Sequence, residues 1–160
     1  MHLAQLNVGR LRAPIDDPRT AEFVRNLEPI NALAELSPGF VWRLQDDSGD
    51  ATSIRAFDDE LMIVNLTVWS SVETLADFVY RTAHVEFLRR RREWFEVAEQ
   101  PITCLWWIPE GTIPTVPDAI ARLDHLRAHG PTPTAFTFRT RFGPDSEASE
   151  AGADADTCPA

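Results

Sequence analysis

The strand predicted at Leu61–Trp69 constrains the fold most strongly, because its two faces differ. Alternate residues of a strand point to opposite sides of the sheet. One side of this strand is wholly apolar, with Met62, Val64, Leu66 and Val68. The other side is mixed, with Ile63, Asn65, Thr67 and Trp69. A sheet built around this strand therefore needs one dry face and one face that is partly polar.

The strand predicted at Leu3–Val8 has the same asymmetry. Its face with Leu3 also carries Gln5 and Asn7, whereas Ala4, Leu6 and Val8 share the other face. The mixed face of the sheet would then hold Gln5, Asn7, Asn65, Thr67, Trp69 and either Trp106 or Trp107. This mixture is too polar for a dry core and too aromatic for plain exposure to solvent. It predicts a ligand pocket, or a sheet-on-sheet dimer interface that encloses one.

Alternation and turn signals predict the element order βαβββααβαβ. The predicted strands are Leu3–Val8, Phe40–Gln45, Thr52–Phe57, Leu61–Trp69, Ile102–Ile108 and Thr134–Phe142. Helices are expected to begin at Asp17, after a capping box of Ser70 and Glu73, at His84, and at Pro117. Hairpins without strict βα alternation indicate an α+β fold, with helices packed on one face of a largely antiparallel sheet.

The helix predicted from His84 carries the candidate chemistry. Its apolar stripe consists of Phe87, Leu88, Trp94, Phe95 and Ala98. His84 and Arg91 fall inside that stripe, and charged groups are rarely buried without a partner. Either Arg91 has an acidic partner, or His84 and Arg91 line a cavity. The other arginines of the run are expected on a solvated face, in the i,i+4 pairs Arg89–Glu93 and Arg92–Glu96.

Composition excludes several classes of function. The net charge is −10, and five acids without any Lys or Arg lie in the last 18 residues, which leaves −5 for the body. An acidic body argues against nucleic-acid binding, and no apolar run approaches the roughly 18 residues of a membrane span. We expect one domain over residues 1–142 and an acidic disordered tail over residues 143–160. Cys104 and Cys158 predict free thiols in a reducing, cytoplasmic compartment.

Several motifs of the chain resemble the uncharacterised bacterial family DUF3291. The stretches that carry the resemblance are Asn65–Ser71, Phe78–His84, Leu88–Phe95, Leu105–Pro109 and Gly130–Phe138. The similarity covers roughly Leu3 to Phe142. The family name states no activity, so this resemblance predicts a fold rather than a function.

More distantly, a strand that ends in Trp, a capped helix and an Ala-His pair resemble the dimeric α/β-barrel superfamily. Its members include antibiotic-biosynthesis monooxygenases, haem-degrading oxygenases and polyketide cyclases. The resemblance implies a ferredoxin-like βαββαβ core, a homodimer with sheets face to face, and a pocket between sheet and helices. In the haem-degrading branch, a histidine holds the iron and an asparagine of the first strand lies over the substrate. His84 and Asn7 match those residues in type and approximate place.

Three hypotheses follow for the function. The first is an enzyme that resembles cofactor-independent monooxygenases or cyclases and acts on an aromatic or polyketide-like substrate, without a metal. Its catalytic residues would be His84, Tyr80 and Asn7, and its substrate-binding residues Asn65, Trp69, Arg91, Trp94 and Trp107. The second is a haem-binding protein with His84 as the axial ligand. The third is a non-catalytic, dimeric ligand-binding protein, in which the polar strand residues only pair across the dimer.

Overall fold

The computed structural model describes residues 1–145 and the backbone of residues 148–150. Its strands are β1 (His2–Arg10), β2 (Phe40–Arg43), β3 (Met62–Trp69), β4 (Thr103–Ile108), β5 (Thr140–Phe142) and β6 (Ala148–Glu150). Its α-helices are α1 (Ala21–Glu35), α2 (Val72–Arg81), α3 (His84–Arg90) and α4 (Val116–His129). Short 3-10 turns precede α1 and follow α3, at Pro18–Thr20 and Arg91–Glu93.

The main sheet has four strands in the order β2-β3-β1-β4. Every neighbouring pair is antiparallel, and β1 and β3 pair over their whole length from Leu3–Trp69 to Arg10–Met62. With α1 between β1 and β2, and α2 and α3 between β3 and β4, this is the ferredoxin-like βαββαβ arrangement. The predicted α+β class and ferredoxin-like sheet are therefore confirmed.

One face of this sheet, which we call the sealed face and define by its buried strand residues, is apolar over its central part. Its strand residues are Ala4, Leu6, Val8, Val64, Leu66, Val68, Cys104, Trp106 and Ile108, and none is more than 5% exposed. Helix α4 covers this face with Ala119, Leu123 and Leu126. The expectation that helices pack on one face therefore holds for α1 and α2, while α4 lies against the opposite face. A second sheet could reach the sealed face only if α4 moved away.

The other face, which we call the banded face, is apolar at its ends and polar in the middle. At one end Leu3, Trp69 and Leu105 are fully buried against Ala34 of α1 and against Val72, Leu75 and Phe78 of α2. At the other end the Phe95 ring lies on Gly9, where an added Cβ would come within 2.7 Å of a ring carbon. Between these ends lies a polar band, formed by Gln5, Asn7, Asn65, Thr67 and Thr103.

The strand predicted at Thr52–Phe57 is wrong. Strand β2 instead pairs with β3, and the chain between them is irregular. The cause is local, because short polar side chains satisfy the backbone there in place of a strand partner. Asp50 accepts from the backbone N–H and hydroxyl of Thr52 at 2.7 and 2.6 Å, and the Asp46 carboxylate bonds Ser48 and Ser53.

The last predicted strand, Thr134–Phe142, is also wrong over most of its length. Phe136 makes a single bridge to Leu105, and regular pairing is limited to β5 with β6. Strand β6 falls within the segment for which the sequence predicts disorder. Residues 146–147 and 151–160 of that acidic tail lie outside the described residues, and so does Cys158.

Two helix boundaries differ from the sequence prediction. The capping box of α2 uses Ser71 and Thr74, one residue later than the predicted Ser70 and Glu73. Helix α3 ends at Arg90 rather than continuing to Ala98, because the chain after the 3-10 turn pairs with the end of β1. Glu96 N–H donates to Arg10 C=O at 2.9 Å there. Of the helices that the structure describes, none is long and apolar enough to span a membrane.

Candidate functional site

The polar band is held together by side-chain hydrogen bonds across three strands. Asn7 lies opposite Asn65 on one side and Thr103 on the other, and Gln5 lies opposite Thr67. Asn7 Nδ2 donates to Thr103 Oγ1 at 2.8 Å, and Thr67 Oγ1 donates to Gln5 Oε1 at 2.7 Å. The side chains of Asn7 and Asn65 are adjacent in register, but the hydrogen bond of Asn7 goes to Thr103.

An aromatic cluster borders the band where β3 ends. The Trp69 indole stacks on Phe78 of α2 at 5.2 Å between ring centroids and meets Phe40 edge-on at 5.4 Å. Trp69 is fully buried, and its Nε1–H donates to Thr67 Oγ1 at 3.0 Å. A buried indole N–H needs such an acceptor. Trp69 thus joins the aromatic cluster to the polar band through one hydrogen bond.

A second aromatic cluster borders the band at its other end. Phe23 of α1 meets Phe95 edge-on at 5.2 Å and Trp94 at 6.0 Å, and Trp94 stacks on Phe87 of α3 at 6.1 Å. Phe95 in turn lies on Gly9 of β1. Helices α1 and α3 therefore pack on the sheet at the Phe95 end of the band, and α1 and α2 pack on it at the Trp69 end. The band lies under this helical layer, yet Asn65 is exposed and Gln5 and Asn7 are only partly buried.

His84 begins α3 and lies behind the first aromatic cluster. Its ring is 5.0 Å from Phe78, and Nδ1 is 3.3 Å from the carbonyl oxygen of Val79. A carbonyl only accepts, so Nδ1 carries the proton and Nε2 carries the lone pair. Burial lowers the pKa of His84, although the hydrogen bond with Val79 opposes the shift. The geometry therefore favours a neutral imidazole with a basic Nε2, which has no partner among the described residues.

Arg90 joins α3 to α1 through an ion pair. Its guanidinium binds both carboxylate oxygens of Glu22 at 2.7 and 2.8 Å and both oxygens of Glu93. It also lies over the Trp94 ring at 5.0 Å. Arg91 lies in the 3-10 turn and is half-buried. The predicted pairs Arg89–Glu93 and Arg92–Glu96 are wrong in detail, because Arg89 pairs with Glu86 and Glu93 pairs with Arg90.

Two predicted site residues, Tyr80 and Trp107, make their contacts away from the band. Tyr80 of α2 meets Phe138 edge-on at 5.6 Å, and the extended backbone of Thr82 separates it from the helix of His84. Trp107 Nε1 donates to the Phe142 carbonyl at 2.7 Å. Trp107 is on the banded face, as one of the two expected alternatives, but it packs under the C-terminal segment. These contacts separate Tyr80 and Trp107 from Asn7 and Asn65.

Sequence reasoning placed Gln5 and Thr67 on the right face without assigning them a role, and it missed Thr103. Thr103 is the third member of the band because β4 lies on the far side of β1. The alternation of β4 gave no signal for it, since that strand is apolar on both faces. Only the strand order reveals which residue of β4 lies beside Asn7.

Two clefts on the described surface lie outside the band. One of about 540 Å³ lies between α4 and the loop before β3, against Ile54, Arg55, Ile120 and Asp124. The other, of about 280 Å³, adjoins the first aromatic cluster and is lined by Phe78, Thr82, Thr74 and Ser37. The larger cleft is on the side of the sealed face and includes none of the predicted site residues. The smaller one shares Phe78 with the environment of His84.

The residues were also tested against a haem or a metal ion. A neutral His84 with a free Nε2 would suit an axial ligand, but neither cleft above is lined by His84, so no observation favours haem. Within residues 1–145, no group of three or more His, Cys, Asp or Glu side chains is placed to hold a metal. The rings of His125 and His129 are tilted relative to each other with centroids 4.7 Å apart, and His125 Nε2 is 2.9 Å from Thr132 Oγ1.

Comparisons with known proteins give a family and distant structural similarities. The family model described as "Domain of unknown function (DUF3291)" matches residues 2–152. No curated protein matches the chain. A solved protein from Nitrosomonas europaea, named for the antibiotic biosynthesis monooxygenases, is similar at 14% identity with a TM-score of 0.49, over 69% of this chain and 93% of that one. SnoaB from Streptomyces nogalater, titled a cofactor-independent oxygenase, is similar at 16% identity with a TM-score of 0.45, over 71% and 98%.

Proposed function

Because the chain belongs to the DUF3291 family, whose description states no activity, we propose a function from the site itself. The protein is proposed to be a small-molecule enzyme of the monooxygenase-like or cyclase-like type. It would bind an aromatic or polyketide-like substrate between the banded face and the helical layer. The single observation that carries this proposal is the partly open polar band enclosed by two aromatic clusters.

The polar band contains residue types that are uncommon in strands. Asn and Gln are depleted in strands, and buried polar groups normally satisfy all their hydrogen bonds. Here Asn7 and Gln5 each make one side-chain hydrogen bond and keep further donors or acceptors unused among the described residues. Asn65 is exposed beside them. Polar groups that converge within an apolar frame are typical of small-molecule sites.

His84 is proposed as the general base. A neutral imidazole at the pH of the cell can remove a proton directly, and its lowered pKa keeps it neutral. Proton removal is the step that both reaction types share. It gives a phenolate or carbanion that can reduce molecular oxygen in a monooxygenase, or an enolate that can attack a carbonyl in a cyclase.

The distances favour a substrate with more than one ring. His84 is 5.0 Å from Phe78, and Phe78 is 5.2 Å from Trp69, whose indole reaches the band. A ligand that meets both His84 and the asparagines must extend along this aromatic wall. Fused aromatic or polyketide-derived rings are long enough to meet that requirement.

The other predicted site residues take supporting roles in this proposal. Arg91 would bind an anionic group of the substrate, while Trp94 would hold α3 over the band through Phe87 and Phe23. Tyr80 and Trp107 would support the wall from the side of the C-terminal segment. The expected homodimer is also a proposal, and its interface would be an outer surface because α4 covers the sealed face.

Turnover tests the proposal. Oxygen uptake and product formation are measured with hydroxylated two-ring and three-ring ketones as candidate substrates. We expect turnover, and His84→Ala should lower kcat by about 100- to 10,000-fold, the usual contribution of a general base. His129→Ala is the matched control, because His129 is exposed on α4. Equal rates for the two variants would contradict the role of His84.

The alternative proposal is a ligand-binding protein that catalyses no reaction. The same ligands would then bind with an affinity that Asn7→Ala and Asn65→Ala reduce, but no product would form. Binding without turnover across the candidate series would favour this rival over the enzyme.

A further inference from the structure

We infer that Gln5 and Asn7 form a donor and acceptor pair that selects a ligand with a carbonyl at one end of a ring and a hydroxyl at the other. This inference rests on the proposed binding site and adds the chemistry that the site would recognise. It is carried by the hydrogen bonds that fix the orientation of each side-chain amide.

The orientation of Gln5 follows from a chain of three side chains. The Trp69 indole N–H can only donate, and it donates to Thr67 Oγ1 at 3.0 Å. Thr67 is a buried residue, 7% exposed, so its hydroxyl proton needs an acceptor. That acceptor is Gln5 Oε1 at 2.7 Å. Gln5 therefore turns its Nε2 amino group away from Thr67, as a hydrogen-bond donor that no described residue uses.

Asn7 is oriented in the opposite sense. Its Nδ2 donates to Thr103 Oγ1 at 2.8 Å, so the amino group faces β4. The amide oxygen Oδ1 is left as an acceptor without a partner among the described residues. Neither Gln5 Nε2 nor Asn7 Oδ1 is fully buried without a partner, and both residues are partly exposed. The site thus presents one donor and one acceptor rather than two alike groups.

The spacing of the pair sets the shape of the ligand. Residues two apart on a strand face the same side and lie about 7 Å apart, from a rise of about 3.4 Å per residue. A carbonyl oxygen at Gln5 and a hydroxyl at Asn7 would therefore occupy opposite ends of one six-membered ring. A carbonyl and a hydroxyl on neighbouring ring atoms would be too close together to reach both Gln5 and Asn7. They would form a hydrogen bond with each other instead.

Thr67 is a positioning residue in this account. It is held by Trp69 and in turn fixes the Gln5 amide, without itself meeting the ligand. A substitution that removes its hydroxyl should let the Gln5 amide rotate, so that donor and acceptor become interchangeable. Recognition of the carbonyl should then weaken, while recognition of the hydroxyl by Asn7 should remain.

Three matched probes test the pair in the full-length protein. 4-Hydroxyacetophenone has both groups, 4-methoxyacetophenone lacks the donor, and 4-ethylphenol lacks the carbonyl. Affinities are measured by NMR titration, following the side-chain NH2 signals of Gln5 and Asn7. We expect the first probe to bind roughly fivefold more tightly than either of the others, the effect of one neutral hydrogen bond of about 1 kcal/mol. The Gln5 signal should shift with the two ketones only.

Thr67→Val and Thr67→Ser separate positioning from packing. Thr67→Val should abolish the preference for 4-hydroxyacetophenone over 4-ethylphenol and keep its preference over the methoxy compound. Thr67→Ser, which retains the hydroxyl, should restore both preferences. Equal affinities for the three probes in the wild-type protein, or unchanged preferences in Thr67→Val, would overturn the inference.

The outcome is independent of the proposed chemistry. His129→Ala should leave the probe preferences unchanged, since His129 is exposed on α4. If turnover depends on His84 but the probes bind equally, only the donor and acceptor pair is wrong. If the preferences hold but no candidate substrate is turned over, the pair stands and the enzymatic proposal fails.

Discussion

The two faces of the sheet are built from alternate residues of the same three strands, yet they differ sharply. The buried strand residues of the sealed face are all apolar, and Trp42 and Met62 are partly buried against them. The banded face has the same kind of burial only at its end near Trp69, and it places Asn7 and Asn65 in the middle. Burial of an aliphatic side chain stabilises a fold by about 1.5–3 kcal/mol, and a polar band forgoes that gain. The difference indicates that the sealed face serves stability and that the banded face serves recognition.

The comparison predicts its largest effect at two neighbouring residues of β1. Leu6 is fully buried on the sealed face, so Leu6→Ala should lower the free energy of unfolding by about 2–5 kcal/mol. Asn7→Ala removes one hydrogen bond on the banded face and should cost only about 1 kcal/mol. Urea denaturation followed by tryptophan fluorescence measures both. Similar losses for the two variants would mean that the faces do not divide stability and recognition.

A smaller loss of stability is expected at Gly9, where the banded face packs against Phe95. A Cβ at Gly9 would lie 2.7 and 2.8 Å from two carbons of the Phe95 ring, so Gly9→Ala should displace that ring from Phe23. Overpacking of this kind costs about 1–3 kcal/mol. The double variant Gly9→Ala/Phe95→Leu should lose less stability than the sum of the two single variants. Strict additivity in this cycle would show that the two residues are not in contact.

The smallest expected change is the dependence of the free energy of unfolding on pH. The pKa of His84 is lowered from 6.5 by burial, so below pH 6.5 the unfolded chain binds a proton that the folded protein resists. The free energy of unfolding should therefore fall as the pH drops from 6.5 towards the lower folded pKa. In His84→Gln this part of the slope should vanish, whereas the exposed control His129→Gln should keep it. A wild-type slope in His84→Gln would assign the pH dependence to another group.

The strong alternation of β1 and β3 predicted their extent and the division of their residues between two faces. Strand β4 was found as well, but the sequence could not decide between Trp106 and Trp107, since both faces of that strand are apolar. The hydrogen bond of Asn7 to Thr103 depends on which strand lies on each side of β1. Strand order is a property of the whole chain, so no local pattern contains it.

The arginine run shows a second limit. A continuous helix would direct Arg91 inward, but the chain tightens into a 3-10 turn directly after Arg90. The turn advances each residue by about 120° rather than 100°, which changes the direction of every later side chain. Arg90 then meets Glu22, which lies 68 residues earlier in the sequence. The irregular loop after β2 also differs from the predicted strand. Its conformation is set by the side chains of Asp46 and Asp50, which bind nearby residues of the same loop.

The position of α4 in the chain affects how the protein emerges during synthesis. The three strands of the sealed face are complete by Ile108, whereas the helix that covers them ends at His129. Until α4 leaves the ribosome, a nascent chain would expose a broad apolar surface of the kind that promotes aggregation. The apolar surface is therefore covered only after the C-terminal region has emerged, and a chain released just before α4 should be a substrate for chaperones or proteases.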